Sequence, residues 1–250
     1  MFNLRGRILG FRERFSLLRN WYMFVWPLSL LRGNRLAVLR NGARFILRGS
    51  TSPDFAMLID IAARNDLGIE SFDGMATIAD VGAHIGIFTI LVARLNPSSR
   101  IIAIEPEEEN YALLVQNISL NGLKNVTSIR ALVSDESGIG RLYVSASNVG
   151  HSMVENLHSL KERGDFQEVK MITLNSLGSI DAIKIDVEGA EYQLFRNVVP
   201  DSSVVVLDVH EVRGEEIEDL LMNFKERYTL ITLGKGKVGN SRTVKMIRKS

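Results

Sequence analysis

The chain has 250 residues, a formal net charge of +1, 46% hydrophobic and 24% charged residues, and no cysteine. This balance suits a soluble globular protein with one compact core and an appendage. The missing cysteines exclude disulfides, thiolate metal sites and a cysteine nucleophile, and they fit a reducing cytoplasm. Charge is unevenly laid out: residues 1–50 hold ten arginines, no lysine and one acid, Glu13, a net +9, which leaves −8 on the rest. A basic leader on an acidic body points to separate tasks for the two parts.

The first apolar run is WYMFVWPLSLL, Trp21 to Leu31. A spanning helix needs roughly 20 residues, and Pro27 interrupts this run. It starts late for a signal peptide and lacks a small-residue cleavage site. Two readings stay open. In the favoured one the segment is a helix covering one face of the domain, its arginines solvated. In the other, residues 1–32 make peripheral contact with the inner face of a membrane, with arginines on anionic headgroups and Trp21, Phe24 and Trp26 in the interface. Nucleic acid is disfavoured, because the aromatics cluster instead of interleaving with the arginines.

RLAVLRNGARFILRG, Arg35 to Gly49, alternates apolar and polar residues around Asn41-Gly42, which predicts a hairpin with a two-residue turn. Ser52-Pro53-Asp54 opens a helix running through FAMLIDIAARN. From Ala76 strands and helices alternate. TIADV, RIIAIE, VTSIRALV, DAIKID and SVVVLDVH read as buried strands, and GIGRLYVS, QEVKMIT, YTLITLG and TVKMIR as further strands. IGIFTILVARL, PEEENYALLVQNISLNG, AEYQLFRNV and residues 215–227 read as helices, and residues 148–165 as a loop or helix over the acceptor pocket. An N-terminal extension, residues 1–75, therefore precedes an α/β domain, residues 76–250, with a parallel sheet covered on both faces. Ligands of such sheets sit beyond the carboxyl ends of the strands.

ADVGAHIGIFT, Ala79 to Thr89, joins a strand to a helix through Gly82 and Gly86. Bare backbone at these positions suits close approach of a ligand. Nineteen residues after Gly86, Glu105 ends the next strand, where a carboxylate accepts from both hydroxyls of a ribose. Together they predict an adenosine-containing cofactor. The spacing is not the G-x-G-x-x-G of a dinucleotide site, and Asp80 beside a diphosphate is unfavourable. A carboxylate suits the ammonium and sulfonium of S-adenosylmethionine.

These residues, with IAIEPEEENYALLVQNISLNGLKNV and IKIDVEGAEYQLF, resemble the FkbM-type S-adenosylmethionine-dependent methyltransferases. The resemblance runs from about Ile78 to His210. It implies a Rossmann-like class I fold: a seven-stranded sheet in the order 3-2-1-4-5-7-6, with the last strand antiparallel. It also implies methyl transfer, typically to an oxygen, often in natural-product or glycan biosynthesis. Carried onto this chain, Asp80, Gly82, His84 and Gly86 surround the methionine moiety, Glu105 holds the ribose, and Ser134 and Asp135 lie near the adenine. His84 stands where the family usually has asparagine. We expect it neutral, because a cation there repels the sulfonium.

Asp186 and Glu188 end and follow one strand, and Asp208 and His210 end another, so the expected order brings these acids and the histidine to one rim. His210 is the first choice for a general base toward a hydroxyl acceptor, with Asp186 and Glu188 second. Glu191 reads as a helix N-terminal charge. The same carboxylates suit a divalent metal, which no ligand spacing requires. His151 and His158 read as solvated loop residues. Asn117-Ile-Ser and Asn125-Val-Thr match the glycan acceptor pattern, but no secretory signal accompanies them. The sequence thus points to an O-methyltransferase acting on a sugar, glycan or secondary metabolite. The alternatives are a nicotinamide-dependent oxidoreductase and a non-catalytic cofactor-binding module docked through the basic leader. Oligomeric state is open.

Overall fold

The computed structural model describes residues 15–24, 33–49, 52–143, 166–187, 189–196, 199–212, 215–235 and 241–249. Glu188, His151 and His158 lie outside the described residues, as do most of the basic leader and residues 148–165.

A short hairpin comes first, β1 (Arg35–Val38) antiparallel to β2 (Arg44–Leu47). Its loop has three residues instead of the expected two: Leu39 N donates to Ala43 O, and Gly42 N donates back to Leu39 O. Only Gly42 takes positive φ (+89°). Asn41 is not in that region; its side chain accepts from Ala43 N, which leaves the glycine alone to make the bend. Helix α1 (Asp54–Ala62) follows.

The main sheet contains β3 (Thr77–Val81), β4 (Arg100–Ile104), β5 (Val126–Ile129), β9 (Ala182–Ile185), β10 (Val204–His210), β11 (Tyr228–Lys235) and β12 (Ser241–Arg248). Its order is β11-β12-β10-β9-β3-β4-β5. Counted along the chain from the β5 edge, this is 3-2-1-4-5-7-6. The five central and outer strands from β10 to β5 are parallel, and only β12 runs against its neighbours. This is the class I methyltransferase topology the resemblance implied. Helices α2 (Ile87–Leu95), α3 (Glu108–Leu120), a single turn α4 (Glu191–Leu194) and α5 (Ile217–Met222) connect the strands. The helices expected over AEYQLFRNV and residues 215–227 are thus shorter than the apolar pattern indicated.

VTSIRALV is not one strand. It breaks after β5, because its neighbour β4 ends at Ile104, and Arg130 turns to the Glu108 carboxylate at 3.1 Å. The chain then enters a second sheet, β6 (Leu132–Ser134), β7 (Gly138–Tyr143) and β8 (Phe166–Thr173), in the order β6-β8-β7.

Parallel strands covered on both faces are apolar almost throughout, and the cores follow from that. One face packs Ala79, Val81, Ile102, Ile104, Ile183 and Ile185 against Phe195 and Phe224. The other packs Ile78, Ile101, Ala182 and Val206 against Phe88 and Val92 of α2. Each such large side chain contributes roughly 1.5–3 kcal/mol on burial. A third core joins the hairpin to the body: Ala37, Leu39, Phe45 and Leu47 pack with Leu58 of α1 and with Ile85, Ile87 and Leu91. Phe24 is buried there, stacked on Phe55 with centroids 4.7 Å apart. That is the core-facing role, not the membrane-interface one, for this residue. Among the described residues no helix is long and apolar enough to cross a membrane.

Asn117 of α3 and Asn121, which follows its last residue, fix the hairpin. Asn121 accepts from Arg44 N and donates to Arg44 O, while Asn117 accepts from Ile46 N and donates to Ile46 O and Ile85 O. The two amides replace a neighbouring strand for β2. Asn125 donates to the carbonyls of Ala93, Asn96 and Ser99. Both matches to the glycan acceptor pattern are therefore structural asparagines.

Candidate active site

The chain crosses from one half of the sheet to the other between β3 and β9, and a crevice at the carboxyl ends follows from that reversal. Parallel register sets Asp80 beside Lys184 on the same face. Both are buried, and Lys184 Nζ lies 3.2 Å from Asp80 Oδ1 and 3.7 Å from Asp186 Oδ2. Nζ also donates to Gly82 O at 2.7 Å, and the Thr89 hydroxyl donates to Asp80 Oδ2 at 2.5 Å. Burial opposes the lysine's charge, but Asp80 and Asp186 outweigh it and hold the ammonium above its ordinary range. Lys184 was missed in the sequence, although a cation inside the apolar strand AIKI was the signal: buried on both faces, it needed an acid.

The two glycines of the turn are required by packing, whatever else approaches their backbone. A Cβ on Gly82 would stand 1.8 Å from the Asp186 carbonyl oxygen, and one on Gly86 2.6 Å from Leu114 Cδ1. Both also take positive φ, +77° and +88°. Strand-to-strand and helix-to-helix contact occupies the space their missing side chains leave.

His84, at the tip of the turn, has φ +50°. Its backbone N–H donates to Glu105 Oε2 at 2.8 Å, so the strand-end acid of β4 does face the turn. Glu105 is buried, and Oε1 accepts from Glu107 N at 3.0 Å and from Asn110 Nδ2 at 3.4 Å. Burial pushes its pKa up to about 7, against the pull of these donors. Glu107 caps α3 by accepting from Glu109 N and Asn110 N.

The imidazole of His84 meets the N-terminal extension. Its Nε2 lies 2.7 Å from Arg48 Nη2. A guanidinium has no acceptor, so this contact is a hydrogen bond when Nε2 carries the ring's lone pair. Arg48 also forks onto Asp54, with Nε to Oδ2 at 3.0 Å and Nη2 to Oδ1 at 2.8 Å. Burial pushes the Asp54 carboxyl up, yet the Arg48 hydrogen bonds hold it below the usual range.

Ser134 closes β6, buried, and its hydroxyl donates to Asp135 Oδ1 at 3.0 Å. Gln193 of α4 donates to the same oxygen at 2.9 Å and holds Asp135 below the usual carboxylate range.

At the next rim position the expected convergence is present for the described residues. One ligand atom each from Asp186, Asp208 and His210 lies within 4.8 Å of the others. His210 Nδ1 sits 3.1 Å from Glu191 Oε1, and Nε2 3.9 Å from Asp208 Oδ2. Glu191 is fully buried. It is therefore no mere helix-end charge: it fixes the ring of His210, a role that sequence position alone did not reveal. Thr243 holds Asp208 through Oδ1 at 2.9 Å.

A family model described as the methyltransferase FkbM domain matches residues 80–231, more than half of the chain. Methyltransferase sdnD of Sordaria araneosa is 27% identical over 164 residues, 62% of either chain. Methyltransferase 1 of Beauveria bassiana is 24% identical over 152 residues, 52% of this chain and 61% of its own. The aligned region thus spans about three fifths of each relative. Among solved structures, that of M. jannaschii TYW2 in complex with AdoMet superposes with a TM-score of 0.48 at 19% identity, covering 88% of each chain.

Proposed function

This chain belongs to the FkbM methyltransferase family, and from that membership we propose that it moves a methyl group from S-adenosylmethionine to a hydroxyl of a sugar, glycan or secondary metabolite. The residues fit that donor. Glu105 takes three N–H contacts on two oxygens, which leaves acceptor capacity for a ribose hydroxyl. Asp80, Asp186 and Glu105 supply negative charge beside the turn for a cationic ligand. When bound, the sulfonium supplies an activated methyl carbon.

One observation carries the acceptor chemistry: His210 is held through Nδ1 by buried Glu191, with Nε2 on the side of Asp208. A carboxylate on one imidazole nitrogen fixes the tautomer and raises the basicity of the other. Nε2 can then take the acceptor's proton as the oxygen attacks in line. Asp186 remains the second choice, and Ser134 and Asp135 are assigned to the adenine side. Asp186, Asp208 and His210 are also a donor set that magnesium or manganese accepts. Lys184 already places a positive charge 3.7 Å from Asp186, and the base reading needs no ion.

The test is transfer itself, with methyl-labelled donor and a panel of hydroxylated sugars and metabolites. We expect a labelled methyl ether in at least one. Labelled product only at nitrogen or carbon, or donor binding without turnover on any acceptor class, would overturn the reading.

A further inference from the structure

We propose that Arg48, from the N-terminal hairpin, holds the α-carboxylate of the methyl donor, which makes the extension part of the cofactor site. This rests on the donor reading above and deepens it. The turn region is rich in carboxylates and poor in cations. The ammonium and sulfonium of the donor's tail find acids there, but its own carboxylate needs a cation with an N–H to spare. Lys184 has none: its ammonium is taken up by Asp80, the Gly82 carbonyl and Asp186.

Arg48 differs. Its Nε and Nη2 edge is occupied by Asp54 and His84, but Nη1 is buried and, among the described residues, meets no hydrogen-bond acceptor. A buried guanidinium nitrogen without an acceptor is costly, and such a group marks a missing partner. Nη2 spends both of its N–H groups on Asp54 and His84, so the two N–H groups of Nη1 are what a second carboxylate can reach. Its place is also fixed: Asn117 ties both Ile46 of β2 and Ile85 of the turn to α3, so Arg48 and His84 cannot drift apart. The side chain thus touches His84 at the tip of the turn and is aligned before any ligand arrives.

The experiment compares S-adenosylhomocysteine with its decarboxylated analogue, S-adenosyl-3-thiopropylamine, by calorimetry on the full chain. The wild type should prefer the carboxylated ligand by about ten- to a hundredfold, the worth of one charge-assisted hydrogen-bonded contact. Arg48→Met should erase that preference by weakening the carboxylated ligand alone. Arg48→Met leaves Asp54 buried without its partner, so the double variant Arg48→Met/Asp54→Asn is measured as well and should show the same loss. Equal weakening of both ligands, which a purely structural arginine would give, overturns the proposal, as does a wild type without preference. If the wild type binds neither ligand, the donor reading falls and this proposal with it.

Discussion

Replacing His210 with asparagine should lower kcat for methyl transfer by about 10²–10⁴-fold, the range a positioned base supplies, and leave the affinity for S-adenosylhomocysteine unchanged. Asparagine is chosen because its amide can still donate from near the Nδ1 position. Glu191, fully buried, then keeps a partner for Oε1, and the fold loses only the nitrogen that faces Asp208. His210→Ala should show the same kinetic loss with an added loss of stability, since it strands a buried carboxylate. Single-turnover rates with saturating donor separate the proton-transfer step from binding. An asparagine variant with wild-type turnover would move the base to Asp186 or elsewhere.

The second large effect concerns the fold beneath the site. Lys184→Met should cost about 3–5 kcal/mol in urea denaturation, because it leaves Asp80 buried opposite a methyl group. The folded state raises the lysine's pKa, so its contribution is complete below the ordinary lysine range and fades only as pH climbs above it. The loss should therefore be full at neutral pH. In Lys184→Met/Asp80→Asn the cost should shrink, since both charges leave together. A single variant within about 0.5 kcal/mol of wild type would mean that Asp80 is compensated by Thr89 alone.

Much of this architecture is legible in the chain because parallel strands covered on both faces leave uninterrupted apolar runs. TIADV, RIIAIE, DAIKID and SVVVLDVH could hardly be anything else, and their carboxyl ends carry the acids. What escaped notice depends on contacts between distant segments. Glu191 looked like a helix-end charge until β10 brought His210 to it. Gly82 reads as room for a ligand, and only the fold shows that the Asp186 carbonyl on the β9 side demands a glycine there as well. VTSIRALV has the pattern of one strand, and nothing local says that β4 stops pairing at Ile104. Asp54 does open its helix as its sequence suggests, but nothing in the pattern shows that its carboxylate also takes Arg48. Lys184 alone was visible in principle, as a charge in a strand with no exposed face.

The account depends most on Glu105, and one titration addresses it: S-adenosylhomocysteine binding between pH 5 and 8, in the wild type and in Glu105→Gln. Burial raises the native carboxyl to about 7, well above its unfolded value, so by itself this group disfavours the fold as pH rises through that window. Ribose hydroxyls donate to the ionised form, so ligand binding must expel the proton. Wild-type affinity should rise about tenfold per pH unit up to about 7 and then level, with proton release below that pH. Glu105→Gln should bind at least tenfold more weakly at pH 8 and show no such slope. Equal affinity and equal slope in the two proteins would contradict the assignment of the ribose to this carboxylate.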